Sequence, residues 1–299
     1  MLSILIPIYN FNVVELVMEL HRQATELDEP VEILAFDDGS EGKWKALNRS
    51  LKDVPGVHYR ELEKNKGRAA IRNYLARRAN YEFLLFLDCD SGIVREDFLK
   101  TYLDYLPGHP LVYGGRVYKD EPPQNPKLYF HWYYGRFREQ MDVATRKARP
   151  WHSFMTNNFV IDKALFLSIG FEERLTQYGH EDTLFGMELA RRQVQVLHID
   201  NPVEHLGLEP VEVFLRKTDQ AIENLLFLRK TGRRVDTRLM NTLEAVERWK
   251  MSGLVRSFLS AMWPLIKKNI YGRKVRLKAF DLYKLYKALC IEAPRNPKP

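Results

Sequence analysis

The sequence predicts an α/β fold: a mainly parallel central sheet with helices on both faces, followed by a helical C-terminal extension. Three features carry that prediction. Over the first hundred residues, apolar runs of strand length alternate with segments whose apolar residues recur at helical spacing. Each run closes on polar residues, at Tyr9-Asn10, Asp37-Asp38-Gly39-Ser40 and Asp88-Cys89-Asp90. From about Leu208 onward the strand signal stops and the pattern is helical and basic. Repeated strand–helix–strand order implies right-handed crossovers and a sheet covered on both sides. Ligands in such sheets gather at the carboxyl ends of strands, where the three polar clusters fall.

Ser3–Tyr9 reads as the first strand, and Val13, Leu16, Val17, Leu20 and Leu27 as the apolar stripe of the next helix. Val31–Phe36 is the second strand. Val57–Leu62 alternates, with Val57 and Tyr59 on one face. Gly67 opens a helix over Ala69–Ala79, and Phe83–Leu87 is a buried strand. Leu111–Val117 reads as a strand, Lys119–Pro126 as a Pro-rich loop and Lys127–Gln140 as an aromatic helix. Ala144–Trp151 reads as a basic, mobile connection. Asn157–Ile161 is a strand leading into a helix over Lys163–Ile169, Glu181–Arg192 is helical, and Val194–Ile199 is a last short strand. The expected organisation is a domain over 1–207, in two halves that meet at about residue 118. A basic helical region over 208–299 follows. There is no internal repeat and no low-complexity tract.

With 299 residues, 45% hydrophobic and 28% charged, the composition is that of a globular chain. Met1-Leu2-Ser3-Ile4-Leu5-Ile6-Pro7 has neither a basic leader nor a small-residue cleavage site. No uncharged apolar run reaches the ~18–20 residues needed to span a bilayer. Of the two cysteines, Cys89 and Cys290, one sits between two aspartates, and a reducing cytoplasm fits best. The net charge of +7 is unevenly spread: residues 211–299 hold 20 Lys/Arg and 8 Asp/Glu, a balance of +12, while 1–210 hold 26 and 31, a balance of −5. An acidic body with a basic last third suits contact with an anionic surface.

Taken singly, each polar cluster has two readings. Asp88 and Asp90 flank one residue, so in an extended turn their side chains point the same way. The pair suits a hard divalent cation completed by a substrate phosphate, or a capped polar turn. Asp37–Ser40 fits ligand contact or ordinary turn chemistry. Asn65-Lys66-Gly67-Arg68 suits a helix start that attracts phosphate, or a solvated loop, and Arg72 reaches the same crevice or faces water. Glu181 and Asp182 stand where a helix begins and fit capping as well as chemistry. His205 is a structural histidine or a ligand.

Together, and in this order, the pieces resemble the family 2 glycosyltransferases, inverting enzymes of the GT-A fold. Ser3-Ile4-Leu5-Ile6-Pro7-Ile8-Tyr9-Asn10 is similar to the family's first strand and Phe36-Asp37-Asp38-Gly39-Ser40 to its acidic turn. Asn65 to Asn73 is similar to its N-x-G-x-x-x-A-R-N segment, with Ile71 where the alanine usually stands. Leu87-Asp88-Cys89-Asp90-Ser91 matches its DxD, and Gly170-Phe171 through Gly179-His180-Glu181-Asp182 its acceptor-side ED motif. The resemblance covers about 1–207 and implies a nucleotide-binding half to about 118 and an acceptor-side half over 119–207. It implies a nucleotide-sugar donor, a UDP-sugar, with Mn2+ or Mg2+ as cofactor. On that resemblance Asp38 accepts the N3–H of uracil, with Arg72, Gly67 and the backbone of Pro7 and Tyr9 nearby. Asp88 holds the ribose hydroxyls or a water, Asp90 ligates the metal, and His205 is a further ligand that suits manganese. Asp182, shielded by Tyr178 and Phe185, is the general base, with Glu181 as its rival. Trp151, Asn157, Asn158, His180 and Glu181 line the acceptor side, where aromatic and amide groups suit a saccharide or lipid-linked saccharide.

The alternatives are a sugar-nucleotide nucleotidyltransferase and a non-catalytic carbohydrate-binding protein. The first needs a glycine-rich triphosphate loop near the N-terminus, which is not seen. The basic region lacks a zinc, helix-turn-helix or RNA-platform signature, so no nucleic-acid partner is expected. Between Leu254 and Lys268, apolar residues at 254, 255, 258, 259, 262, 263 and 266 form one helical stripe, which Pro264 interrupts. Such a stripe packs on its own domain, on a second subunit in a homodimer, or on an anionic membrane. The expected location is the cytoplasm, with peripheral contact at the inner face of the cytoplasmic membrane.

Overall fold

In a computed structural model of the protein, describing residues 1–174, 179–232 and 235–293, the two alternating periods become layers. The chain runs through β1 (Leu2–Ile8), α1 (Val14–Thr25), β2 (Val31–Asp37), α2 (Gly42–Asn48), β3 (Val57–Glu61), α3 (Arg68–Arg78) and β4 (Phe83–Leu87). It continues through β5 (Ser91–Ile93), α4 (Phe98–Leu103), β6 (Leu111–Tyr113), β7 (Arg116–Val117), α5 (Tyr129–Tyr134) and α6 (Val143–Ala148). Next come β8 (Asn158–Asp162), α7 (Lys163–Ile169), α8 (Glu181–Arg191), β9 (Leu197–His198) and β10 (Val203–His205). The helices α9 (Val211–Lys230), α10 (Arg238–Arg248), α11 (Ser252–Ile270) and α12 (Leu277–Glu292) follow.

These elements divide into two units. One comprises Met1–Lys119, Arg138–Thr176 and Glu181–Gly207; the other Asp120–Phe137, Gln177–His180 and Leu208–Pro299. Residues 120–137, expected within the first domain, therefore group with the C-terminal helices.

In the first unit a seven-stranded sheet has the order β3-β2-β1-β4-β8-β6-β9. The first four strands are parallel, β8 is antiparallel to both β4 and β6, and β9 is parallel to β6. Leu2, Ile4, Ile6 and Ile8 of β1 pack in one layer with Leu16 and Leu20 of α1. Leu5 turns to the opposite layer, with Leu75 of α3 and Phe86 of β4. Burial on both faces explains why these strands read as unbroken apolar runs.

Two expectations are corrected and a third is refined. Leu111–Val117 is not one strand. A Cβ at Gly114 would overlap the Asn201 carbonyl and Gly115 has φ 102°, so the chain breaks there. β6 stays in the large sheet while β7 joins a second sheet of order β5-β10-β7. Ala144–Trp151 is not a loose connection either. The Asp142 carboxylate accepts from the Thr145 N–H at 2.7 Å and caps α6, and buried Arg146 donates to the carbonyls of Tyr113, Gly114 and Ile199. Lys127–Gln140 is helical as expected, in three kinds of turn: a 3-10 turn over Pro126–Leu128, α5 to Tyr134 and a wider π-type turn over Gly135–Glu139.

In the second unit, Phe130 and Tyr134 of α5 meet Phe214 of α9 and Phe280 of α12, with ring centroids 5.2–5.8 Å apart. The Tyr283 hydroxyl donates to Asp219 at 2.9 Å and Lys287 pairs with the same carboxylate at 2.8 Å, fixing α12 to α9. α11 runs unbroken through Pro264, contrary to the expected interruption. Its buried Leu259, Ile266 and Ile270 outweigh the one lost backbone bond. Among the described residues no helix is long and apolar enough to cross a membrane.

Candidate active site

The carboxyl ends of β1 and β2 are tied to one another. The Asn10 N–H donates to Ser40 Oγ at 2.8 Å, and Asn10 Oδ1 accepts from the Glu41 N–H at 2.9 Å. Gly39 (φ 77°) lets loop 64–65 come so close that a Cβ would stand 2.6 Å from the Asn65 nitrogen. Asp38 meets that same loop: its carboxylate accepts from the N–H groups of Lys66 at 2.8 Å and Gly67 at 3.1 Å. These donors stand at the start of α3, where backbone N–H groups have no partner inside the helix. Burial pushes the Asp38 carboxyl up, and the two N–H groups work against it. A direct Asp38–uracil contact is thus revised, because the acid is buried and both its oxygens hold the loop. Pro7 lies within β1. Tyr9 follows it with 54% of its surface exposed.

Arg72, one turn into α3, is also revised. It is buried against Asp88 rather than placed beside Asp38, and its guanidinium donates to Asp88 Oδ1. Arg116, just past the Gly114-Gly115 break, approaches Asp88 Oδ2 at 3.5 Å and Glu139 at 3.0 Å. Tyr118 donates its hydroxyl to the same Glu139. Burial works to raise the Asp88 carboxyl, but Arg72, Arg68 and Arg116 outweigh it and hold the group below the usual carboxylate range. Asp90 goes the other way: burial, then the charge of Asp88, pushes it up. Cys89 between them is pushed up to about 12 by burial and Asp90, so it is not a thiolate nucleophile.

His205, on β10 opposite Ser91 of β5, points Nδ1 at Asp90 Oδ2, 3.6 Å away. Gly207 lies so close to that oxygen that a Cβ would overlap it. Among the described residues no group of three or more His, Cys, Asp or Glu is arranged to hold a metal ion. Asp90 and His205 nevertheless form a two-ligand cradle beside a crowded carboxylate pair. That fits a cation whose remaining ligands are diphosphate oxygens. Because Arg72 offsets a buried charge, Arg72→Met is expected to cost about 3–5 kcal/mol of stability. A urea-denaturation midpoint that does not move would remove this view of the pair.

On the acceptor side, Asp182 lies in the first turn of α8 and accepts the Thr156 hydroxyl at Oδ1. Burial, then the charge of Glu181, pushes the Asp182 carboxyl up, against Thr156, Arg72 and Arg68. Glu181 itself is ion-paired with Arg68 at 3.3 Å. Arg68 and Arg72 act on both Asp88 and Asp182, and Thr156, bonded to Asp182, precedes Asn157, whose carbonyl accepts from the Asp88 N–H, so the two acids lie near one another by α3. Asn157 is buried beside them. Its carbonyl accepts from the Asp88 N–H at 3.1 Å, and its side-chain Nδ2 has no hydrogen-bond partner among the described residues.

Asn158 is a correction. It is fully buried, its Oδ1 accepts from Tyr102 at 2.7 Å, and its Nδ2 donates to the carbonyls of Gly115 and Asn201. It holds strand ends together and has nothing left for an acceptor. Phe185 packs in the aromatic core with Phe154 and Phe171. Trp151 is 37% exposed and its indole N–H donates to the Val194 carbonyl at 2.7 Å. His180 (φ 71°) belongs to the second unit, and Tyr178 lies outside the described residues.

Sequence reasoning missed Arg116, Tyr118, Glu139 and the bond from Thr156 to Asp182. Only Arg116 had a signal: it follows a glycine pair at a strand end, as the other clusters follow theirs.

Comparison with known proteins bears on this site. Residues 3–166 match the family described as Glycosyl transferase family 2. An uncharacterized glycosyltransferase, YfnE of Bacillus subtilis (strain 168), is 22% identical over 96% of this chain and 91% of its own length. The crystal structure of S. aureus TarS 1–349 superposes with a TM-score of 0.51 at 18% identity, over 97% of this chain and 88% of that one. The mannosyltransferase PcManGT of Pyrobaculum calidifontis, solved with GDP-Man and Mn2+, gives 0.58 at 15% identity, over 97% and 86%.

Proposed function

The chain belongs to glycosyl transferase family 2 and is a glycosyltransferase, and from that premise we propose that it moves a sugar from a UDP-sugar to a hydroxyl of a saccharide or lipid-linked saccharide, with inversion and with a divalent metal, Mn2+ or Mg2+. One observation carries the reading. Around the start of α3, one carboxylate is held ionised by arginines while two others, Asp90 and Asp182, are pushed up by burial. Acids forced apart in this way are suited to different tasks. TarS has been solved with UDP and PcManGT with Mn2+, which supports the donor and metal classes by likeness of fold.

Asp90 and His205 would hold the ion, whose charge stabilises the diphosphate as it leaves. Asp182 is the general base. Its Oδ1 is fixed by Thr156, which leaves Oδ2 to take the acceptor's proton. Attack on the face opposite the leaving diphosphate inverts the anomeric carbon. Glu181, already neutralised by Arg68, orients the start of α8 rather than accepting the proton. Asp38 shapes the uracil site at one remove, by holding the Lys66–Gly67 backbone beside Pro7 and Tyr9. Asp88, set between Arg72 and Arg116, faces the ribose and steadies Asp90. The Asn157 Nδ2, which has no partner among the described residues, donates to the acceptor, and Trp151 extends that side. The same reading puts the enzyme in the cytoplasm.

Addition of Mn2+ and a saccharide acceptor is expected to release UDP from a UDP-sugar, with a thermal shift for UDP larger than for GDP or dTDP. A requirement for UTP or pyrophosphate would point to a nucleotidyltransferase instead.

A further inference from the structure

α11 is apolar on two faces. One face is covered: Leu259, Ile266 and Ile270 are buried, and Trp263 stacks on Tyr283 of α12 at 5.2 Å between ring centroids. On the other, Leu254, Phe258 and Leu265 are 71%, 63% and 59% exposed, at spacings that put them on one stripe. Trp249 and Met251, just before the helix, are 75% and 45% exposed. Single exposed apolar residues need no explanation, but three on one helical stripe with two more just before it in the chain do.

Between α11 and α12 lies a recess of about 330 Å3, lined by Arg256, Ser257, Ser260, Tyr286 and Cys290. Among the described residues Arg256 makes no hydrogen bond or ion pair, so its five N–H donors face a pocket of hydroxyls without an acid. Exposed Lys250 and Lys268 flank the stripe.

We propose that this face docks on an anionic lipid bilayer. The stripe enters the interfacial layer, and Arg256, on the flank of α11 toward α12 rather than on the stripe, receives with the serine hydroxyls a lipid phosphate at headgroup level. Charge decides against a second copy of the chain as the occupant. α11 carries Arg256, Lys267 and Lys268 and no acidic residue, so pairing this face with itself would set cation against cation. A negatively charged membrane supplies the missing counter-charge, and lysines beside a Trp/Phe/Leu stripe snorkel to its headgroups. The contact does not depend on which sugar or acceptor the active site uses.

The test is co-sedimentation of the full-length protein at low salt with phosphatidylcholine vesicles, with and without about one quarter phosphatidylglycerol. The chain is expected to pellet with the anionic vesicles only. Leu254→Glu with Phe258→Glu should weaken binding roughly tenfold or more, and Arg256→Gln about fivefold. All three positions are on or near the surface, and circular dichroism verifies that the variants fold. A chain that stays in the supernatant overturns the proposal, as do variants that bind like the parent. Release from vesicles by millimolar inorganic phosphate would assign the recess to a soluble anion. A dimer that Leu254→Glu with Phe258→Glu converts to a monomer would assign the stripe to a second copy.

Discussion

Asp182→Asn is expected to fold and to bind UDP, yet to lose sugar transfer by about 10²–10⁴-fold. Folding should survive because Thr156 donates to Oδ1, and an amide oxygen accepts that bond as well as a carboxylate oxygen does. The substitution also removes a buried negative charge that Glu181 opposes. Transfer fails because an amide cannot accept the acceptor's proton. The pH profile gives an independent check. A base works only when ionised, and burial followed by the charge of Glu181 sets Asp182 above its ordinary value of 3.8. Activity should therefore fall on acidification through a limb lying above the usual carboxylate range, and the residual rate of the variant should lack that limb. Steady-state rates across pH, with UDP affinity measured by calorimetry, make the test. Near-normal turnover would move the base to another residue.

The parts of this picture that sequence reasoning reached are those fixed by local physics. Apolar runs buried on both faces betray strands, and polar clusters after them betray strand ends, so the central sheet and the places of Asp88 and Asp90 at the end of β4 were legible, whereas Asp182, in the first turn of α8, was singled out only by the family resemblance. What stayed hidden are pairings between residues far apart in the chain. Arg72 meets Asp88, Arg116 meets Glu139, and Thr156 meets Asp182 across 16 to 26 positions, and no periodicity marks any of them. The two revisions with most consequence share one cause. Asp38 and Asn158 are polar residues at strand ends, where backbone N–H and carbonyl groups also need partners, and each side chain is consumed by that need. A polar residue in the right place is therefore a candidate for the site only after the backbone around it has been satisfied. Arg146 makes the same point in reverse: a basic stretch that reads as loose carries the guanidinium that ties three strand-end carbonyls together.

Asp90→Asn is the second large effect, and it should divide stability from activity. Asp90 is buried next to Asp88, which arginines keep charged, so the Asp90 carboxylate is crowded unless a cation offsets it. An amide of the same shape removes both the repulsion and the cost of burying charge, and the metal-free variant should melt higher than the parent at neutral pH. The same change takes away the one anionic ligand of the proposed cradle, leaving His205 3.6 Å from a neutral oxygen or nitrogen. Transfer should then fall by about 10²-fold or more, and the extra thermal shift that Mn2+ gives in the presence of UDP should vanish. A merely structural acid would behave otherwise: its loss would lower the melting temperature and leave the Mn2+ shift intact. If Asp90→Asn destabilises the fold while Mn2+ still stabilises the UDP complex, the cation sits elsewhere, and the tension between Asp88 and Asp90 has no functional meaning.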